Sequence, residues 1–173
     1  MINYVTGDAT NPQGGGVKII THVVNNEGGW GKGFVIPLAR RYPTAESSYR
    51  QWFQGGANLW DGAFELGNVQ FVTVTCGSVA DEVFNATIVA NMVAQDGYRK
   101  RYDDPPKQYL KYDALLECLE RVRDFAVPRN AFVHAPRFGA GLAGGDWNAI
   151  EKLINVALVA NGVPVTIYDP PGR

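Results

Sequence analysis

The sequence contains few cysteines and few histidines. Of its 173 residues only Cys76 and Cys118 are cysteine, and only two are histidine. Two thiols do not make a disulfide framework, and the wide separation of the four residues leaves no structural zinc spacing. Cys76 ends an apolar run and Cys118 falls on the apolar side of a helical pattern. Both are predicted to be buried, free thiols in a reducing compartment.

The sequence also lacks an excess of charge of either sign. Lysine and arginine number 16 and aspartate and glutamate 17, for a formal net charge of −1. A general electrostatic grip on nucleic acid needs clustered cations and is therefore not expected. The most basic segment, YRKRYDDPPK at 98–107, carries its own acids and prolines and is predicted to be a solvated loop.

No long apolar segment is present. The sequence has no run approaching the roughly 18 apolar residues of a membrane span, and residues 1–8 do not resemble a signal peptide. We therefore expect a cytoplasmic protein that does not partner with a membrane. With 46% hydrophobic and 19% charged residues the chain has the composition of a folded protein. Its length predicts a single domain over residues 1–173.

Short apolar runs alternate with helical patterns along the chain. Strands are predicted at 2–6, 17–25, 69–77, 86–95, 131–136 and 163–169. Helices are predicted at 34–42, 45–53, 108–127 and 147–162, with Thr44 capping the second and Asn161-Gly162 ending the last. Residues 54–62 are predicted to be a loop. This alternation predicts a layered α/β protein with helices on both faces of one sheet.

Two glycine clusters are the most unusual feature of the sequence. The first glycine loop, residues 28–33 (GGWGKG), and the second glycine loop, residues 138–145 (FGAGLAGG), each follow a strand and precede a helix. Ligands bind at such positions in open α/β sheets, and backbone N–H groups with a helix N-terminus suit an anion. A single cluster is more simply a tight turn. Two glycine clusters at equivalent positions in the sheet favour a binding site for an extended anion such as a diphosphate.

Two common nucleotide-binding motifs do not explain these loops. A P-loop is excluded because Gly31-Lys32 is followed by Gly33 rather than by a serine or threonine. Gly139, Gly141 and Gly144 formally match the G-x-G-x-x-G dinucleotide fingerprint, but they lie in the last quarter of the chain. That fingerprint requires an acidic residue at the end of a strand about 20 residues further on, and this sequence has none there. A classical NAD-dependent dehydrogenase is therefore disfavoured.

Four segments together resemble the macrodomain family, whose members bind ADP-ribose. They are YVTGDAT at 4–10, HVVNNEGGWGKGFV at 22–35, HAPRFGAGLAGGDW at 134–147 and VTIYD at 165–169, and the likeness covers nearly the whole chain. The GGWGKGF form is most similar to the branch that contains the ADP-ribose 1″-phosphate phosphatases and the terminal ADP-ribose glycohydrolases. The resemblance implies a three-layer α/β/α sandwich with a mixed, mostly parallel central sheet.

The resemblance also implies a set of ligand-binding residues. Asp8 matches the carboxylate that reads the adenine amino group, and Asn25 matches a contact to the distal ribose. Trp30 and Phe34 would cover that ribose, and Lys32 would add positive charge at the rim. The remaining implied residues are Ala9, Gly29, Gly31, Gly33, Gly139, Ala140, Gly141, Leu142, Tyr168 and Asp169. Taken alone, Asp8 is also explained as a turn residue, Asn25 as a loop-capping amide and Tyr168 as part of the core.

The catalytic residues of the glycohydrolase branch are not present. Where that branch has a catalytic lysine, this sequence has Ala94 or Gln95, and where it has a catalytic aspartate, this sequence has Ala143. Asp146, three residues further on, is explained as a helix cap. The alternative is hydrolysis without a protein nucleophile, with water positioned by Asn25 or by a ligand phosphate and assisted by Gln95 or His22. A histidine within a strand is also explained as a structural residue, and His134 is expected to be one. Neither a metal nor a cofactor is implied.

The predicted function is binding of ADP-ribose and hydrolysis of mono-ADP-ribose from acidic side chains of proteins. The predicted partner is ADP-ribose or a mono-ADP-ribosylated protein, and the simplest assembly is a monomer. Two alternatives stay open: a reader that binds ADP-ribose without turnover, and a phosphatase that removes the 1″-phosphate from ADP-ribose 1″-phosphate.

Overall fold

A computed structural model of the chain describes residues 1–55, 61–80, 83–101 and 107–172. The strands are β1 (Asn3–Thr6), β2 (Val17–Asn25), β3 (Val69–Ala80), β4 (Val83–Gln95), β5 (Phe132–Ala135) and β6 (Val165–Asp169). The helices are α1 (Val35–Arg41), α2 (Pro43–Phe53), α3 (Tyr112–Ala126) and α4 (Trp147–Ala157). Short 3-10 helices follow α3 at Val127–Arg129 and α4 at Val159–Asn161.

The six strands form one mixed sheet in the order β1-β6-β5-β2-β4-β3. All neighbouring pairs are parallel except β3 with β4, which is antiparallel. Because parallel strands end on the same side, the carboxyl ends of β1, β6, β5, β2 and β4 share one edge of the sheet. This edge receives both glycine loops.

The alternation of side chains along the strands supplies the core on both faces of the sheet. On β2, Ile19 packs into a cluster with α3 and α4, whereas Ile20 and Val24 pack into a second cluster with α1 and α2. A period of two residues places neighbours on opposite faces, and both faces are covered by helices. The predicted three-layer α/β/α sandwich with a mixed, mostly parallel sheet is confirmed.

The ends of the last helix follow from its local sequence. Asp146 is the N-cap of α4, and its carboxylate accepts a hydrogen bond of 3.0 Å from the backbone N–H of Asn148. This confirms the capping role expected for Asp146. After the short 3-10 helix, Gly162 adopts a left-handed φ of 79° and ends the segment, as predicted.

Two local predictions were wrong. Thr44 does not cap α2, because the helix begins at Pro43, whose fixed φ and missing N–H suit the first helical position. Cys76 is exposed rather than buried, whereas Cys118 is buried; neither forms a disulfide. Cys76 lies on the edge strand β3 between two shifts of register, where the alternation of buried and exposed side chains breaks down.

Parts of two predicted loops lie outside the described residues. Of the loop predicted at 54–62, residues 56–60 lie outside the part of the chain that the structure describes, as do residues 102–106 of the basic segment. Among the helices of the described ranges, none combines the length and apolarity needed to cross a bilayer.

Packing of α4 provides a direct test of the core. Ile154 is 1% exposed, whereas Val156 on the same helix is 65% exposed. We expect Ile154→Ala to lower the free energy of unfolding by about 2–5 kcal/mol, because it removes a buried side chain and leaves a cavity. Val156→Ala is the matched control and should change it by about 0.5 kcal/mol or less. Equal losses for the two variants in urea unfolding would contradict this packing.

Candidate functional site

The two glycine loops meet at one cavity of about 290 Å³ at the carboxyl edge of the sheet. The first glycine loop follows β2 and contributes Gly29, Trp30, Gly31 and Lys32 to the wall. The second follows β5 and contributes Leu142. The neighbouring positions of β2 and β5 in the sheet explain why segments more than 100 residues apart in the chain share one cavity.

The ends of β2 and β4 complete the cavity. Asn25 and Gln95, both predicted as site residues, are the last residues of these strands and lie in its wall. Five further residues line the cavity but were not predicted from the sequence: Val23, Val24, Val35, Tyr98 and Arg99. Tyr98 and Arg99 belong to the segment that was predicted to be only a solvated loop, and they are indeed exposed. Their position directly after a strand that ends at the sheet edge was the available signal.

Asn25 holds the first glycine loop closed with its side chain. Its Oδ1 accepts hydrogen bonds from the backbone N–H groups of Glu27 (2.9 Å) and Gly29 (3.0 Å), and its Nδ2 donates to Gly29 O (2.9 Å). The buried Tyr49 hydroxyl, from α2, donates to Asn25 O at 2.6 Å and lies 3.1 Å from Oδ1. Asn25 is therefore a loop-capping amide that also faces the cavity, and its Nδ2 retains one hydrogen beyond the bond to Gly29.

Trp30 forms a fixed wall of the cavity rather than a mobile cover. It is 5% exposed, and its Nε1–H donates to Val35 O at 3.0 Å. Its ring meets Tyr49 at 5.4 Å between centroids and the His22 ring edge-on at the same distance. Such aromatic contacts and the indole hydrogen bond are the arrangement that stabilises a buried tryptophan.

His22 lies beneath this wall and does not line the cavity. Its Nε2 is 2.5 Å from Asn91 Oδ1. Because Asn91 Nδ2 donates to Gln70 Oε1 (3.1 Å) and Ala45 O (3.3 Å), Oδ1 acts as the acceptor and His22 carries its proton on Nε2. Burial lowers the pKa of His22 to about 4, against the opposing effect of the Asn91 hydrogen bond. The imidazole is thus neutral at pH 7.

A second cavity of about 350 Å³ contains Asp8 and Tyr168 in its wall. Asp8 Oδ1 accepts hydrogen bonds from Thr10 N (2.9 Å) and Thr10 Oγ1 (2.8 Å), so the carboxylate caps its own turn. Its Oδ2 is 3.9 Å from the guanidinium of Arg41, and the side chain is 56% exposed. Both the turn role and the ligand role that were considered for Asp8 are compatible with this geometry.

Tyr168 is fixed by its hydroxyl group. That group lies 2.8 Å from His134 Nδ1 and accepts a hydrogen bond from the backbone N–H of Gln13 at 3.2 Å. Burial, with a smaller effect of Lys18, lowers the pKa of His134 to about 4. His134 is therefore neutral at pH 7, and it also lies in the wall of the second cavity.

The carboxylate of Asp169 is already engaged by an arginine of the chain segment that leads into the second glycine loop. Arg137 Nε and Nη2 donate to its two oxygens at 2.6 and 3.0 Å. The guanidinium also lies 4.9 Å from the centroid of Tyr4 and 5.4 Å from that of Trp147. Asp169 thus orients Arg137 at the start of this segment.

The remaining predicted residues line neither cavity within the described ranges: Ala9, Gly33, Phe34, Gly139, Ala140, Gly141 and Asp169. Gly33 and Gly139 have left-handed φ values of 83° and 77° and shape the backbone of the two loops. Phe34 packs against the His22 ring at 5.9 Å. These residues shape the site without being placed in its wall.

The buried state of His22 predicts a loss of stability at low pH. Its pKa of about 4 in the folded protein lies below the ordinary value of 6.5, so the unfolded chain takes up the proton first as the pH falls. The contribution of neutral His22 to the free energy of unfolding is fully present above pH 6.5 and is lost as the pH falls from 6.5 to 4. The loss is about 3 kcal/mol, at roughly 1.4 kcal/mol per pH unit. An NMR titration should show the neutral imidazole signal of His22 persisting to pH 5. Titration near pH 6.5 in the folded protein would contradict the assignment.

No protein-family model matches the chain. The chromodomain-helicase-DNA-binding protein 1-like of Mus musculus is 32% identical over 171 residues, which cover 98% of this chain but only 18% of that protein. The ADP-ribose 1″-phosphate phosphatase of Lodderomyces elongisporus is 22% identical over 162 residues, covering 89% of this chain and 91% of that protein.

The similarity to a solved structure is stronger and extends over both chains. A macrodomain protein from Streptomyces coelicolor has a TM-score of 0.75 and 44% sequence identity, with 98% of this chain and 99% of that chain covered. At such identity over nearly full length, fold and family are shared. The chain therefore belongs to the macrodomain family.

Proposed function

We propose that the protein binds ADP-ribose and hydrolyses mono-ADP-ribose from acidic side chains of proteins. The observation that carries the proposal is the single cavity in which both glycine loops meet Asn25 and Gln95. Exposed loop glycines such as Gly31 and Gly141 have no neighbouring atoms within 4 Å of the position of an added Cβ, so the backbone is open to a ligand. A diphosphate accepts hydrogen bonds from such backbone N–H groups.

In the proposed binding mode the ligand runs along the carboxyl edge of the sheet. The adenine amino group donates to Asp8 Oδ2, since Oδ1 is occupied by Thr10. The diphosphate lies between the glycine loops, and the distal ribose enters the cavity beside Asn25 and Trp30. The second cavity runs along β1 and β6 to Asp8, which follows the carboxyl end of β1. One pocket with Asp8 and another with Asn25 suit an elongated ligand with a base at one end.

The proposed reaction is attack of water on the anomeric carbon of the distal ribose. A bond forms between the water oxygen and this carbon, the bond to the acyl oxygen breaks, and the carboxylate leaves with the electron pair while a water proton passes to solvent. A carboxylate leaves readily, so no strong general acid is required. No carboxylate lines the cavity among the described residues, which favours a route without a protein nucleophile.

The polar groups of the cavity are assigned to positioning in this proposal. Asn25 Nδ2 uses its remaining hydrogen to orient the distal ribose, and the Gln95 amide orients the water. Fixed dipoles of this kind lower the barrier because they need no reorganisation during the reaction. His22 supports the Trp30 wall from beneath; burial keeps the imidazole neutral, and Asn91 accepts its Nε2 proton.

Two alternative functions have specific support. The similarity to the Lodderomyces elongisporus ADP-ribose 1″-phosphate phosphatase favours removal of a 1″-phosphate. Engagement of the Asn25 amide by Gly29 and Glu27 favours a reader that binds without turnover. We further propose that residues 1–173 form one macrodomain that acts as a monomer in the cytoplasm, with ADP-ribose or a mono-ADP-ribosylated protein as its partner.

Binding is tested by adding a negative side chain to each glycine loop. Gly31→Glu and Gly141→Glu add a negative side chain into open space at positions without a left-handed φ, so the fold should be retained. We expect each to weaken ADP-ribose binding about 100-fold or more, equivalent to about 2.7 kcal/mol. Lys152→Glu on α4 is the charge control and should bind normally. Unchanged calorimetric affinity in both glycine variants, with unchanged melting temperature, would exclude the loops as the site.

Turnover is tested on a peptide that carries mono-ADP-ribose on glutamate. We expect the wild-type protein to release ADP-ribose, and Gln95→Ala to lower kcat by about 10- to 100-fold through loss of a positioned dipole while binding is largely retained. Release of phosphate from ADP-ribose 1″-phosphate is measured in parallel. Binding without any release identifies a reader, and release of phosphate alone identifies the phosphatase.

A further inference from the structure

Two cations lie in the wall of the candidate cavity. Lys32 lies on the first glycine loop and Arg99 on the segment that follows β4, and both line the cavity with exposed side chains. Within the described ranges, neither makes a hydrogen bond or an ion pair. Positive charge from two separate loops therefore converges on one opening.

The acidic residues nearby are already engaged by other groups. Glu27 pairs with Lys100 at 3.1 Å, and Asp96 Oδ1 accepts a hydrogen bond of 3.1 Å from Asn26 Nδ2. No aspartate or glutamate is among the described residues of the cavity wall. Lys32 and Arg99 are thus the only charged side chains in the described part of the cavity wall, although the whole chain has a formal net charge of −1.

The surface around these cations has the size and chemistry of a short peptide contact. Tyr98 is 40% exposed and Leu142 50% exposed, and both also line the cavity. Exposed apolar side chains and two cations in one cavity wall offer packing for the side chains of an extended segment together with attraction for its acids. A nucleic acid backbone instead needs a longer row of phosphate contacts, which two cations beside a paired Glu27 do not provide.

We propose that Lys32 and Arg99 select acceptors in which the ADP-ribosylated residue is flanked by further acidic residues. This inference rests on the proposed function, because it places the distal ribose in the cavity and the acceptor polypeptide at its mouth. The cations attract carboxylates on the residues next to the modified one. Exposed ion pairs are individually weak, so the expected preference is about fivefold to tenfold in kcat/KM for both cations together.

The test compares two peptides with the same mono-ADP-ribosylated glutamate, one flanked by glutamates and one by serines. For wild type at low salt we expect the acidic peptide to be preferred about fivefold to tenfold in kcat/KM, and the preference to shrink at 0.5 M salt through screening. In the double variant Lys32→Gln/Arg99→Gln the ratio of kcat/KM for the acidic peptide to kcat/KM for the serine peptide should fall to about one, so that each peptide controls for any change in cleavage common to both. Lys152→Gln is the control and should keep the preference.

The outcomes separate this inference from the proposed function. Equal losses on both peptides, together with weaker binding of free ADP-ribose, would show that the cations hold the diphosphate and would overturn the inference. A preference for an ADP-ribosylated oligonucleotide over the acidic peptide would overturn it as well. If wild type cleaves neither peptide, hydrolysis is refuted. The binding affinities of the two intact modified peptides then test the inference: tighter binding of the acidic peptide supports it, and equal affinities overturn it.

Discussion

The closure of the first glycine loop by Asn25 is the interaction on which the site depends. A segment with four glycines in six residues has high conformational freedom, and a definite cavity wall requires that this freedom be restricted. One side chain satisfies two backbone N–H groups and one carbonyl of the loop, and Tyr49 fixes the strand end from below. The same amide faces the cavity, so the group that shapes the loop also borders the ligand.

Beneath this loop the protein keeps a buried polar layer neutral. The His22 imidazole, the Asn91 amide and the Gln70 amide form one hydrogen-bonded chain between β2, β4 and β3. Each link assigns the donor and acceptor roles of the next, which fixes the orientation of the ring under Trp30. The imidazole and the two amides carry no charge, so they support the Trp30 wall without the free-energy cost of burying a charge.

Much of the fold was predictable from the sequence. The β-branched runs predicted all six strands, and the helical spacing of apolar residues predicted the four helices, because one buried face with a regular period determines both. The exposure of Cys76 was not predictable, since it depends on register shifts in an edge strand. The start of α2 at Pro43 was open to prediction, because proline is favoured at the first helical position.

The site was predictable in its location but not in its side-chain partners. Glycines after two strands indicated the cavity, because parallel strands end at one edge. That His22 does not line the cavity and that Asp169 is held by Arg137 both depend on contacts between distant segments. Local sequence patterns do not specify such contacts.

The central claim is that ADP-ribose occupies the cavity between the two glycine loops. The most direct measurement is a titration of the isotope-labelled protein with ADP-ribose, followed by backbone amide NMR shifts. The account predicts saturable shifts concentrated at residues 28–33, 138–145 and Asp8, with a stoichiometry of one. Absence of saturable shifts, or shifts confined to surfaces remote from both loops, would contradict it.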